Sequence, residues 1–239
     1  MRLAVVTPTY NERENIDEFL ARVTAAVPAA DIFVVDDASP DGTGHRVREH
    51  ATLDPRVHLM TRTGERGYAA ASREGLAMIA SRGYDIIVTI DCDLSHDPIV
   101  IPAMVRHIEA GADVVLGSRY VRGGQVQNWA LYRRLLSRLG NLYTGFMLGL
   151  NVRDCTSGFR AYRGAVICDG TIAATTADGY AFLSEVLLRL RQTGNYHIVE
   201  TPITYTDRRA GESKMDKTII GESMRLVTVW GLRRILRRR

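Results

Sequence analysis

The chain has little cysteine and no long apolar run. Its three cysteines, Cys92, Cys155 and Cys168, form no CxxC pair among 239 residues. They are too few for the disulfide framework of a small secreted fold, which favours a reduced, cytosolic setting. The longest uncharged, apolar-leaning stretch lies between Arg138 and Arg153, shorter than the roughly 20 residues a spanning helix needs. Met1-Arg2 leads straight into LAVVTPT with no cleavage-site pattern. A soluble or membrane-surface protein is therefore expected, rather than one that crosses a bilayer. Also missing are GxxxxGK[ST] and a GxGxxG after the first apolar run, which disfavours P-loop NTPases and dinucleotide-dependent oxidoreductases.

The composition is that of a globular chain, 46% hydrophobic and 24% charged, enough for one domain with a C-terminal extension. The net charge of +4 is spread unevenly. Arg233, Arg234, Arg237, Arg238 and Arg239 crowd the end, and Arg133, Arg134 and Arg138 punctuate another apolar segment. Arginines beside apolar segments suit an anionic surface, either nucleic acid or phospholipid headgroups. No RNP, KH or helix-turn-helix signature is present, which argues against nucleic acid.

Short runs rich in Val and Ile alternate with segments of helical spacing. Arg2 to Thr7, Asp31 to Val35, Val57 to Thr61, Asp85 to Ile90 and Asp113 to Gly117 lack period-2 alternation, the pattern of strands buried on both faces of a parallel sheet. Between them Asn15 to Val27, Gly42 to Ala51, Ala69 to Arg82 and Ile99 to Ala110 have the length of crossover helices. In such sheets ligands sit outside the carboxyl ends of the strands. Those ends carry Pro8-Thr9-Tyr10-Asn11-Glu12, Asp36-Asp37-Ala38-Ser39-Pro40-Asp41, Arg62, DCDLSHDP (Asp91 to Pro98) and Ser118-Arg119. Capping accounts for some of these one by one, Asp41 above all, but five polar strand ends in succession describe a shared site.

With no glycine-rich cradle, a nucleotide diphosphate needs another way to have its charge neutralised. Asp91 and Asp93 can turn two carboxylates toward one Mg2+ or Mn2+, which shares its remaining positions with phosphate and water. His96 is the weaker ligand candidate, and Asp97 suits a turn before Pro98.

The ordered set VTPTYNE, VVDDASPDGT, TIDCDLSHDP and LGSRY resembles the inverting family-2 glycosyltransferases. DCTSGFRAYR, DGYAFLSEVLLRL and VETPITYTDRRAGESKM further resemble their polyprenol-phosphate or dolichol-phosphate mannose synthase branch. The resemblance covers residues 1 to about 230. It implies an α/β fold of the GT-A type, a central mostly parallel sheet flanked by helices, spanning 1–215, with an amphipathic basic helix over 216–239. It further implies nucleotide contacts at Pro8, Tyr10, Glu12, Val35 and Asp37, and a metal pair at Asp91 and Asp93. Ser95 stands where archaeal relatives place a third, glutamine ligand, Arg119 lies beside the phosphates, and Arg208 and Lys214 close over the acceptor phosphate. The implied donor is GDP-mannose and the acceptor a polyprenyl phosphate.

A lipid phosphate is already an anion, so it can attack without a general base, and no Ser/His/Asp set stands out. A hydroxyl acceptor, soluble or polymeric, would need a carboxylate base, for which Asp154, Asp178 and Glu185 are the candidates. Residues 129 to 150 and Ser223 to Arg239 mix Leu, Trp, Tyr and Phe with arginine, which suits segments lying in a membrane interface. The expectation is a peripheral enzyme on the cytoplasmic membrane face, with room for a membrane-anchoring partner protein.

Overall fold

The computed structural model describes residues 1–194, 196–207 and 217–236. Strands β1 (Leu3–Thr9), β2 (Asp31–Asp36), β3 (Val57–Thr61), β4 (Ile86–Thr89) and β5 (Val114–Ser118) form where Val and Ile cluster, because β-branched side chains suit a pleated, packed surface. Helices α1 (Ile16–Ala26), α2 (Thr43–Leu53), α3 (Tyr68–Ala80) and α4 (Ile101–Glu109) connect them. Later in the chain come β6 (Gln125–Val126), α5 (Leu131–Leu148), β7 (Arg160–Arg163), α6 (Gly164–Cys168), α7 (Ala181–Thr193), β8 (Ile198–Pro202), β9 (Thr204–Tyr205) and α8 (Lys217–Leu236).

The main sheet has the order β3-β2-β1-β4-β7-β5-β8, and β6 pairs with β9 beside it. All neighbours in the main sheet are parallel except β7, which runs antiparallel between β4 and β5. Alternate side chains of each strand enter two separate cores. Val5, Ile32, Val34, Val88 and Val115 meet α1, α2 and α4 on one face. Ala4, Val6, Phe33, Val35 and Leu116 meet α3, α6 and α7 on the other. Both faces are covered, which is why the strands read as continuous apolar runs.

Helix α5 reverses the usual arrangement of an amphipathic helix. Asn141, Thr144 and Gly145 are buried, along with Met147 and Leu148 at its end. Leu131, Tyr132, Leu135, Leu139, Leu142 and Phe146 are exposed, although an apolar stripe normally faces a core. Helix α8 lies against α5 and α7, where Val227 joins Met147, Leu148 and Leu188. Arg234 does not simply solvate this end: its Nε donates to the Met147 carbonyl at 2.9 Å and Nη2 to that of Phe146 at 3.2 Å. Those carbonyls lie in the last turn of α5, where intrahelical donors run out. Among the described residues no helix is long and apolar enough to cross a membrane.

Candidate active site

The carboxyl ends of β1, β2 and β4 converge on one rim, and the backbone is unusual there. Asn11, Ala38, Leu94 and Asn128 adopt φ of 57°, 50°, 59° and 61°. A non-glycine residue in this region is under strain, and such strain concentrates at functional sites. The first three follow β1, β2 and β4, and the fourth precedes Trp129.

Pro8 and Val35 are register partners across β1 and β2, which brings the expected nucleotide contacts Pro8, Tyr10, Glu12, Val35 and Asp37 to one edge. Glu12 accepts from Asn15 Nδ2 at 2.8 Å. The Tyr10 hydroxyl accepts from Arg66 Nη1 at 3.0 Å. Asp37 is buried, pairs with the equally buried Arg62 and accepts from the Gly67 amide at 2.8 Å. Arg62 also reaches Glu74 at 2.7 Å. Asp37 thus ties the loop after β3 to the end of β2.

In the turn after β4, the left-handed Leu94 folds the chain back so that the Ser95 amide and hydroxyl both donate to Asp93 Oδ1, at 3.1 and 2.6 Å. Ser95 therefore aims the Asp93 carboxylate. Both Asp91 and Asp93 act electrostatically on the Tyr205 phenol, which burial, more than either charge, pushes above its usual range. A Cβ on Gly158 would stand 2.5 Å from the Tyr68 hydroxyl and 3.4 Å from both Asp91 oxygens, so only glycine leaves that edge of Asp91 open.

Arg119, just beyond β5, is locked in place. Its Nε and Nη2 donate to Asp154 Oδ2 and Oδ1 at 2.7 Å each, its amide donates to Oδ2 at 3.0 Å, and Nη2 also reaches Thr156 Oγ1 at 2.7 Å. Asp154 is fully buried; desolvation alone would raise its pKa, but the charge and hydrogen bonds of Arg119 hold it below the usual range. The loop around it is pinned from every side. Glu200 accepts from the Arg153 and Asp154 amides, Asn141 Oδ1 from that of Cys155, and the fully buried Arg160 donates to the carbonyls of Cys155 and Ser157.

A groove of about 460 Å³ opens between this loop and helices α5, α7 and α8. Its lining mixes polar side chains, Asp91, His96, Arg119, Arg133 and Asp207, with apolar ones, Leu136, Leu183, Ile220, Met224 and Val227. Three lining residues carry buried polar atoms with no partner among the described residues: His96 Nδ1, Trp129 Nε1 and Ser157 Oγ. Buried polar groups in proteins are nearly always satisfied, so such a set marks a place for a ligand. His96 is packed against Phe159 and Tyr205, and burial pushes its pKa down to about 4, with Asp93 opposing.

The model of the family described as Glycosyl transferase family 2 matches residues 4–169. The chain belongs to this family. Among curated proteins, this glycosyltransferase is 44% identical to the polyprenol monophosphomannose synthase of Mycolicibacterium smegmatis, over 97% of this chain and 88% of that protein. It is 43% identical to the undecaprenyl-phosphate mannosyltransferase of Micrococcus luteus, over 97% and 95%. A solved glucosyl-3-phosphoglycerate synthase from Mycobacterium tuberculosis, in complex with Mn2+, uridine diphosphate and phosphoglyceric acid, superposes with a TM-score of 0.68 at 19% identity, covering 98% of this chain and 78% of that one. At that identity the likeness concerns the fold, which is of the GT-A type with a mostly parallel sheet.

None of the carboxylates considered as bases in this glycosyltransferase lines the groove. Asp154 holds Arg119. Glu185 pairs with Arg189 at 2.7 Å and accepts from the Thr176 and Ala177 amides. Asp178 is exposed and paired with Arg73 at 3.3 Å. Arg208 and Lys214 lie outside the described residues. Trp129 and Arg133 belong to the segment expected to lie in a membrane interface, yet both line the groove, with the Arg133 guanidinium 4.0 Å from the Trp129 ring centroid. Neither carries a local motif; the signal was only an arginine four residues after a tryptophan.

Proposed function

We propose that this enzyme transfers mannose from GDP-mannose to a polyprenyl phosphate, with inversion, at the cytoplasmic surface of a membrane and with Mg2+ or Mn2+ bound. The observation that carries this reading is the mixed lining of the groove: Arg119 and Arg133 stand with apolar side chains of α5, α7 and α8, and none of the three candidate carboxylates lines it. A lipid phosphate matches both kinds of side chain, and the names of the relatives agree with it.

The reaction needs no proton transfer. A phosphate oxygen of the lipid forms a bond to the anomeric carbon, and the bond from that carbon to the diphosphate breaks with its electron pair leaving on the nucleotide. Catalysis then reduces to bringing two anions together and stabilising the departing diphosphate. Asp91 and Asp93, hard carboxylates two positions apart just after β4 with Ser95 aiming the second, fit a divalent cation. Such a cation supplies neutralisation of the leaving diphosphate. Pro8, Tyr10, Glu12, Val35 and Asp37 form the nucleotide edge, and Arg119, held rigid by Asp154, meets phosphate without having to reorganise. Arg208 and Lys214 are assigned to closing over the acceptor.

The exposed leucines of α5, with Leu232 and Ile235 of α8, form the surface that meets the bilayer, and Arg134 and Arg138 suit its anionic headgroups. Radiolabelled GDP-mannose incubated with polyprenyl phosphate and Mn2+ should yield label in the organic phase. Label arriving only from another sugar nucleotide would move the donor, and none from any donor would overturn the reading.

A further inference from the structure

The groove holds two arginines in different states. Arg119 is nearly buried, with its side chain 8% exposed, and grips Asp154 at 2.7 Å through two nitrogens. Arg133 is 38% exposed and touches Asp207 through one nitrogen, at 3.3 and 3.5 Å from its two oxygens. The Trp129 ring supports Arg133 from one side at 4.0 Å, so it needs no carboxylate to stay in the groove. Asp207 is also well placed: the neighbouring Thr206 amide donates to the Ser95 carbonyl at 3.0 Å, and Tyr205 packs edge-on against Trp129. A carboxylate thus lines the same groove as the two arginines, where it would oppose an anion held by Arg133.

We propose that Asp207 is an intramolecular competitor for the acceptor phosphate, holding Arg133 when the groove is empty and reclaiming it from the product. This rests on the lipid-phosphate reading above. Half-exposed ion pairs at such distances contribute little, so a phosphate can displace the carboxylate. Both the entering phosphate monoester and the departing phosphodiester must displace it, so both bind less tightly than they would to a disengaged Arg133. The consequence is an acceptor site that releases its product. Asp207 acts through Arg133 and is a positioning residue.

The test is calorimetric binding of farnesyl phosphate, together with product inhibition measured in the transfer assay, for wild type, Asp207→Asn, Asp207→Glu, Arg133→Met and the Arg133→Met/Asp207→Asn double variant. Asp207→Asn should tighten farnesyl phosphate and the inhibiting product alike by about two- to fivefold, the range of an exposed ion pair. Asp207→Glu should resemble wild type, and Asp207→Asn should change nothing once Arg133 is methionine. A merely structural Asp207 would weaken both ligands when changed. Weaker or unchanged binding in Asp207→Asn, or tightening that persists without Arg133, overturns the competitor role alone. Wild type that binds no farnesyl phosphate overturns the lipid-phosphate reading, and the competitor falls with it.

Discussion

Replacing Arg119 with methionine isolates what a locked ion pair contributes. Asp154 is fully buried and Arg119 nearly so, and three hydrogen bonds join them. Removing one partner of a buried pair leaves an uncompensated charge and costs about 3–5 kcal/mol. Against a total stability of about 5–15 kcal/mol, that is a large share. Urea denaturation at neutral pH should report this loss for Arg119→Met, with transfer abolished. The pH dependence follows from the sign of the Asp154 shift. Its pKa is lowered below the usual 3.8 in the folded protein. The wild-type contribution is therefore fully present above that value and lost as pH falls through the lower folded pKa. In Arg119→Met desolvation acts without the arginine and raises the pKa, so Asp154 protonates sooner and the variant recovers ground in acid. The stability gap should shrink as pH falls from neutral toward 4. A cost below about 1 kcal/mol, the level of a surface pair, or a gap that widens in acid, would refute the reasoning.

Asp93→Asn should abolish transfer with little change in the denaturation midpoint, and EDTA should do the same to wild type; activity surviving both removes the metal role. Gly158→Ala should lower turnover about tenfold or more by pressing on the Tyr68 hydroxyl beside Asp91, and Tyr68→Phe in the same chain should restore part of it by removing that hydroxyl at 2.5 Å; no rescue would show that the clash lies elsewhere. Leu135→Asp with Leu139→Asp, both on the exposed face of α5, should abolish sedimentation with vesicles containing anionic lipid while leaving the melting temperature unchanged. A lowered melting temperature would mean that the face packs within the protein.

The parallel part of the sheet was legible because Val and Ile runs filled both faces of five strands. Strand β7 was not: RAYR is short and carries two arginines, and its place between β4 and β5 comes from pairing alone. At the site, the strand-end rule pointed to Asp91, Asp93 and Arg119 at once. It could not show that Asp154 belongs to Arg119, because that partnership spans 35 positions of chain. Nor could it show what Ser95 does, since its hydroxyl turns toward Asp93 only through the left-handed Leu94. The apolar face of α5 was visible as periodicity, but which face is buried depends on Asn141 and Gly145 meeting the loop around Cys155.

An acceptor already carrying its negative charge makes a base unnecessary, and this independence of a base is what sets a lipid phosphate apart from an alcohol. It is tested most directly by offering labelled GDP-mannose with Mn2+ to polyprenyl phosphate and, in parallel, to the unphosphorylated polyprenol. Label should enter the lipid phosphate alone, at a rate that stays level as pH rises from about 7 to 9, since a phosphate monoester with its second pKa near 6 is already ionised there. Comparable labelling of the free alcohol would contradict the account.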